Sequence, residues 1–186
     1  MKHRFRSMKN IKAMLILAAL PLMISGIANR TVFASDQTEV RAAVQRIFDQ
    51  LKAGQYEALY ETLPSSSRSR MSRDRFVTAL RNTRNLYQLN RIEIGVPEVS
   101  GNLAVVDTTM YAHIYKPLDA DGKLVVQQYL IREDGLWRVA TGDNATINRF
   151  LKNNPSFARK FPIKRLRAFI NQDGKWMEIP LGTRRS

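Results

Sequence analysis

The chain has 186 residues, 30 Lys/Arg against 16 Asp/Glu, a net charge of +14 and no cysteine. That length suits one domain with appendages. The lack of cysteine excludes disulfides, thiolate metal sites and a lipid-modified N-terminal cysteine.

The charge is unevenly spread. Residues 1–34 hold six basic residues and no acid, residues 35–144 fourteen of each sign, and residues 145–186 ten basic and two acidic. The first segment has a basic head, Met1 to Lys12, and an apolar run from Ala13 to Ala28 interrupted by Pro21, Ser25 and Gly26. Thr31-Val-Phe-Ala34-Ser35 follows, with small or β-branched residues where a signal peptidase reads. This predicts a signal peptide over 1–34, cleaved after Ala34 or alternatively Ala28, and hence a periplasmic or secreted protein. The competing reading is an uncleaved membrane anchor, but the broken run falls short of the ~20 residues that a spanning helix needs.

Residues 35–143 read as the main domain. Asp36-Gln-Thr-Glu39 has capping-box spacing. Val40, Val44, Ile47, Phe48 and Leu51 then recur at helical spacing up to a stop at Gly54. A short helix over Gln55–Leu63 ends at Pro64, and Ser65–Ser67 is a loop or a cap. Ser72 caps a third helix that turns Phe76, Val77 and Leu80 inward. Residues 86–98 read as a strand anchored by Leu89, Ile92 and Ile94, irregular at Gly95 and ended by Pro97. Leu103–Tyr115 and Leu124–Arg132 are further strands, and Asp134-Gly135 turns the latter into Leu136–Ala140.

Alternation assigns the faces. Ala104, Val106, Thr108, Met110, Ala112 and Ile114 share the more apolar face of their strand, and the hairpin register adds Val126, Gln128, Leu130, Trp137 and Val139. The pocket lining expected from this is Val106, Thr108, Met110, Gln128, Leu130 and Trp137. Tyr111, His113, Tyr115 and Tyr129 point the other way, onto a polar but aromatic face suited to a subunit contact.

Three helices followed by about four strands predict an α+β fold, with helices gathered on one face of an antiparallel sheet. Gly54-Gln-Tyr56-Glu-Ala-Leu59-Tyr60, Gly101-Asn-Leu-Ala-Val-Val106 and Glu133-Asp-Gly-Leu-Trp-Arg-Val139 resemble segments of the NTF2-like (cystatin-like cone) superfamily, over residues 36–141. The resemblance implies a curved sheet wrapped around the N-terminal helices, a pocket between them, and often a dimer through the sheet.

Residues 144–186 form a basic C-terminal extension. Asn144–Lys152 reads as a short helix stopped near Pro155. Ala168-Phe-Ile-Asn-Gln-Asp173-Gly-Lys-Trp176 repeats the pattern of Tyr129–Trp137 and predicts a second hairpin, with disorder from Leu181 onward. Lys164, Arg165, Arg167 and Lys175 are its candidate anion-binding residues, facing an anionic lipid or a cell-wall polymer. Nucleic acid is not expected of an exported chain, and Phe169 and Trp176 read as packing residues.

No catalytic constellation stands out. Asp107 and His113 share a face but lie roughly 20 Å apart along a strand, too far to act as one acid/base pair. The inward polar groups, Thr108 and Gln128, do not titrate. With two histidines, one of them in the leader, and no cysteine, neither a metal nor another cofactor is expected. Arg68, Arg70, Arg73 and Arg75 do not share a helical face and read as a solvated cluster. The function expected is thus an exported, non-enzymatic domain that holds a small apolar ligand or a protein partner, with a basic tail for anionic surfaces and a homodimer through the sheet as an option. The alternative is a pocket enzyme of the isomerase or hydratase type.

Overall fold

The computed structural model describes residues 27–115, 118–140 and 144–180. The chain divides into two units at Ser35/Asp36, and the second carries the fold. Residues 1–26 of the expected leader lie outside the described residues, as does the tail end from Leu181.

Helix α1 (Ile27–Ala53) starts earlier than the capping box implies. No Gly or Pro interrupts Ile27–Ala53, so the helix runs through Asp36. The carboxylates of Asp36 and Glu39 both accept from Arg132 Nη2, at 2.7 and 2.5 Å. At the other end Gly54, with φ +72°, closes a Schellman turn: Gln55 N–H donates to Gln50 O (2.9 Å) and Gly54 N–H to Leu51 O (3.2 Å). Helices α2 (Tyr56–Glu61), α3 (Ser65–Arg68) and α4 (Arg73–Thr83) follow. Ser72 caps α4 as expected, accepting from Arg75 N. Tyr56, Leu59 and Val77 form a small core against Ile47, Leu51, Phe76 and Leu80.

The sheet is open and antiparallel throughout. Its spine is β3 (Leu103–Ile114) paired with β4 (Ala120–Glu133). On the outer edge of β3 lie β1 (Tyr87–Ile94) and β2 (Glu98–Ser100); on the outer edge of β4 lie β5 (Leu136–Val139) and β6 (Arg167–Gln172), and β6 carries β7 (Lys175–Ile179). The irregularity expected at Gly95 sits instead between Leu89 and Arg91. Gly95 serves a close approach: a Cβ there would meet Asp107 O at 3.0 Å.

Both hairpin turns form as the Asp-Gly pairs predict. Asp134 and Asp173 each have φ +52°, and the glycines after them are also left-handed, the combination of a two-residue I′ turn. Glu133 faces Leu136 and Leu130 faces Val139, as read from the sequence. The second hairpin joins the main sheet, because β6 pairs with Gly122–Val125 of β4.

The face assignment holds on the α1 side. Ala104, Val106, Leu130, Trp137 and Val139 pack with Val40, Ala43 and Val44 of α1. Arg41 fixes the helix across the sheet, donating to Ile94 O and Gly95 O at 2.8 Å each. The opposite face differs from expectation. Helix α5 (Asn144–Asn153) is followed by α6 (Pro155–Lys160), which the sequence reading left out, and Phe150 and Phe157 on them bury Leu103, Val105 and Tyr129. Tyr129 is therefore no exposed interface residue. It is 2% accessible, its ring meets Phe150 edge-on at 6.2 Å, and its hydroxyl reaches Gln127 Oε1 and Phe161 O.

Candidate functional site

The α1-facing surface of the sheet is filled at one end and hollow at the other. At the hollow end lies a cavity of about 380 Å³ lined by Leu51, Leu86, Tyr87, Leu89, Met110, Ala112, Ile114, Gly122, Lys123, Leu124, Ala168, Phe169 and Ile179. Two causes produce it. Helix α1 stops at Ala53, so little of it reaches this end. Small residues also meet across neighbouring strands: Ala112 pairs with Gly122, and Ala168 pairs with Leu124. Ala112 and Ala168 leave volume that the layer above does not fill, while the Ile114 side chain takes up the space over Gly122. The position of Gly122 matters, because a Cβ there would fall 2.6 Å from Ile114 Cδ1.

This corrects the expected lining. Of Val106, Thr108, Met110, Gln128, Leu130 and Trp137, only Met110 borders the cavity. Val106, Leu130 and Trp137 are core residues under α1. Thr108 and Gln128 are buried and satisfy each other: Gln128 Nε2 donates to Thr108 Oγ1 at 3.3 Å, and Thr108 Oγ1 donates to Val126 O at 3.1 Å. Alternation identified the correct face but could not tell a packed position from a hollow one. The available signal was the coincidence of Ala112, Gly122 and Ala168 on that face.

Tyr87 and Lys123 are the lining residues with an ionisable group. Lys123 alternates to the opposite face of β4, where its ammonium sits over the rings of Trp176 (4.6 Å) and Phe169 (5.0 Å). The wall is therefore aliphatic and aromatic, the kind of lining that binds by excluding water from apolar surface.

On that opposite face, Tyr111, His113 and Tyr115 lie beyond the reach of α5 and α6 and are partly exposed. Arg91 stacks over Tyr111 at 3.5 Å, and Tyr111 meets Trp176 edge-on at 6.0 Å. The Arg91 guanidinium hydrogen-bonds Glu93 and, against some desolvation, holds that carboxyl below its usual range; the Tyr111 hydroxyl helps, donating to Glu93 Oε2 at 3.1 Å. His113 stands between two carboxylates, Nδ1 at 3.0 Å from Asp121 Oδ1 and Nε2 at 3.2 Å from Asp119 Oδ1. These hydrogen bonds, Asp121 first, raise the imidazole pKa above its ordinary value. Burial, and next the nearby Asp107 charge, push the Tyr129 phenol up.

The expected anion-binding cluster is partly spent on internal pairs. Lys164 Nζ lies 2.5 Å from Asp107 Oδ2, and Arg167 grips Glu178 through two hydrogen bonds of 3.1 and 2.7 Å. Arg165 and Lys175 are exposed. Among the upstream arginines, Arg68 and Arg73 both pair with Glu61, and Arg70 donates to Thr146 on α5. Thr146 is also 3.2 Å from Ser67 Oγ, so this cluster seats the C-terminal extension on α3.

Among the described residues, no group of three or more His, Asp or Glu is arranged to hold a metal ion, and no helix is long and apolar enough to cross a membrane. No protein-family model and no curated protein matches the chain. Among solved structures, the chain is similar to an M.tuberculosis LEH-like epoxide hydrolase, at 16% identity and a TM-score of 0.39, over 68% of this chain and 99% of that one.

Proposed function

We propose that the domain holds a small apolar ligand in the cavity between α1 and the β1, β3, β4, β6 and β7 strands. One observation carries this reading: a cavity of about 380 Å³ walled by Leu51, Leu89, Met110, Ile114, Leu124 and Ile179. Its size falls in the ~300–1,000 Å³ range of small-molecule sites. Among the lining residues Tyr87 alone brings a titrating group to the cavity face, and a wall otherwise apolar favours holding a ligand over acid/base catalysis, which needs positioned titrating groups within hydrogen-bond reach. The family segments at Gly54–Tyr60, Gly101–Val106 and Glu133–Val139 support an NTF2-like relationship, and the basic, apolar, small-residue order of residues 1–34 supports export.

The ligand test uses the neutral dye N-phenyl-1-naphthylamine and the variant Ala112→Phe, which puts a ring into the hollow. The wild type should bind with a fluorescence rise, and Ala112→Phe should lose affinity by at least about tenfold, the scale on which a pocket senses added hydrocarbon. Equal binding by a folded Ala112→Phe protein refutes the cavity as the site. Export predicts that protein recovered from cells begins at Ser35; an intact Met1 on the bulk of the protein argues for an anchor.

A further inference from the structure

His113 closes a cross-strand pair on the face opposite the cavity. It stands directly across from Asp121, and its immediate neighbours, Ala112 and Ile114, line the cavity, as does Gly122 next to Asp121. The Ile114 side chain covers Gly122 on the cavity side. Each strand end is thus held on one face by the imidazole and on the other by apolar contact.

The geometry of the imidazole selects its charge state. A neutral ring has one N–H and one lone pair. Here both ring nitrogens face carboxylate oxygens, so only the doubly protonated ring donates to both. We propose that protonated His113 clamps the paired ends of β3 and β4, and that pH thereby controls how firmly the Ile114–Gly122 end of the cavity is held.

The surroundings agree with this assignment. From its own hairpin the ring faces Asp119, Asp121 and the Tyr115 ring, centred 5.2 Å away. From β1 it faces Gln88, which accepts from the Tyr115 hydroxyl at 2.7 Å. Among the described residues, Lys123 and Arg91 belong to the next cross-strand pairs on this face and are stacked on Trp176, Phe169 and Tyr111. Asp119 itself has φ +43°, a left-handed conformation that its bond to His113 helps hold.

The sign follows from the raised imidazole pKa. The clamp is complete below the ordinary histidine value and is lost as pH rises through the folded-state value. The cavity end therefore loosens toward alkaline pH. The consequence for access rests on the ligand reading above; the clamp itself does not.

The experiment measures amide protection factors, corrected for intrinsic exchange, in the full chain from about pH 5 to about pH 9, across the histidine range. Protection at Ala112–Ile114 and Ala120–Gly122 should fall about two- to fivefold through the His113 titration, the range of exposed ion pairs. The β6–β7 amides should hold. His113→Gln, at a partly exposed position, should abolish the pH dependence, and Asp121→Asn, at an exposed one, should reduce it, since Asp119 still faces Nε2. A flat wild-type profile, or a pH dependence that persists in His113→Gln, overturns the proposal. In parallel, the dissociation rate of N-phenyl-1-naphthylamine should rise over the same pH interval. A dye that never binds refutes the ligand reading and the consequence for access, and leaves the protection profile to decide the clamp.

Discussion

The same two strands meet α1 differently along their length. At the β5 end, Val106 and Leu130 lie under Val40 and Val44, and Leu130 has no accessible surface. At the β6 end, Met110 and Leu124 are equally apolar, equally directed toward the helix side, and half-exposed around a cavity. The alternation of apolar residues does not distinguish the two ends. The difference comes from where α1 stops and from small residues on the strands themselves, Ala112, Gly122 and Ala168. A hydrophobic face is thus a requirement for burial, while its filling depends on the opposing layer.

The comparison can be broken by mutation. The largest effect should come from the other side of the sheet, where Phe157→Ala removes a buried ring that meets Phe150 edge-on at 5.6 Å and Phe161 at 4.9 Å. Urea unfolding should show a loss of about 3–5 kcal/mol, the usual cost of deleting a buried aromatic ring. Next, Leu130→Ala at the packed end should cost about 2–5 kcal/mol, whereas Leu124→Ala at the hollow end should cost below about 2 kcal/mol and enlarge the site for ligand. Similar costs for the two leucines would mean that the hollow end is as well packed as the other. The smallest effect concerns the tail. Charge reversal of Arg165 and Lys175 should weaken binding to anionic liposomes, and that binding should decline with added salt. Charge reversal of Lys164 or Arg167 should act less through liposomes, since both are paired within the fold.

Much of the local structure was legible before tertiary contacts entered. The Asp134-Gly135 and Asp173-Gly174 turns follow from a dipeptide that tolerates left-handed backbone in succession. The Gly54 stop and the Ser72 cap follow from backbone groups that need partners at helix ends. The site was less legible. The pocket was assigned to Val106, Leu130 and Trp137 because they are the most apolar residues on the correct face, and for that reason they became core. Tyr129 was assigned to the surface because alternation assumes that one face meets water. The unbroken run Leu103-Ala-Val-Val106 was the contrary sign, since a strand buried on both faces need not alternate.

By itself, then, the sequence determined the α+β order, the turns, the Ser72 cap, the Gly54 stop and which side chains share a face, because each is set by torsions and periodicity within a few residues. Only the tertiary structure decided that α5 and α6 cover half of the outer face, that Asp36 and Glu39 meet Arg132, and that the cavity lies at the Ala112–Gly122 end. Those outcomes depend on how far one layer extends over another, a distance that no local pattern encodes.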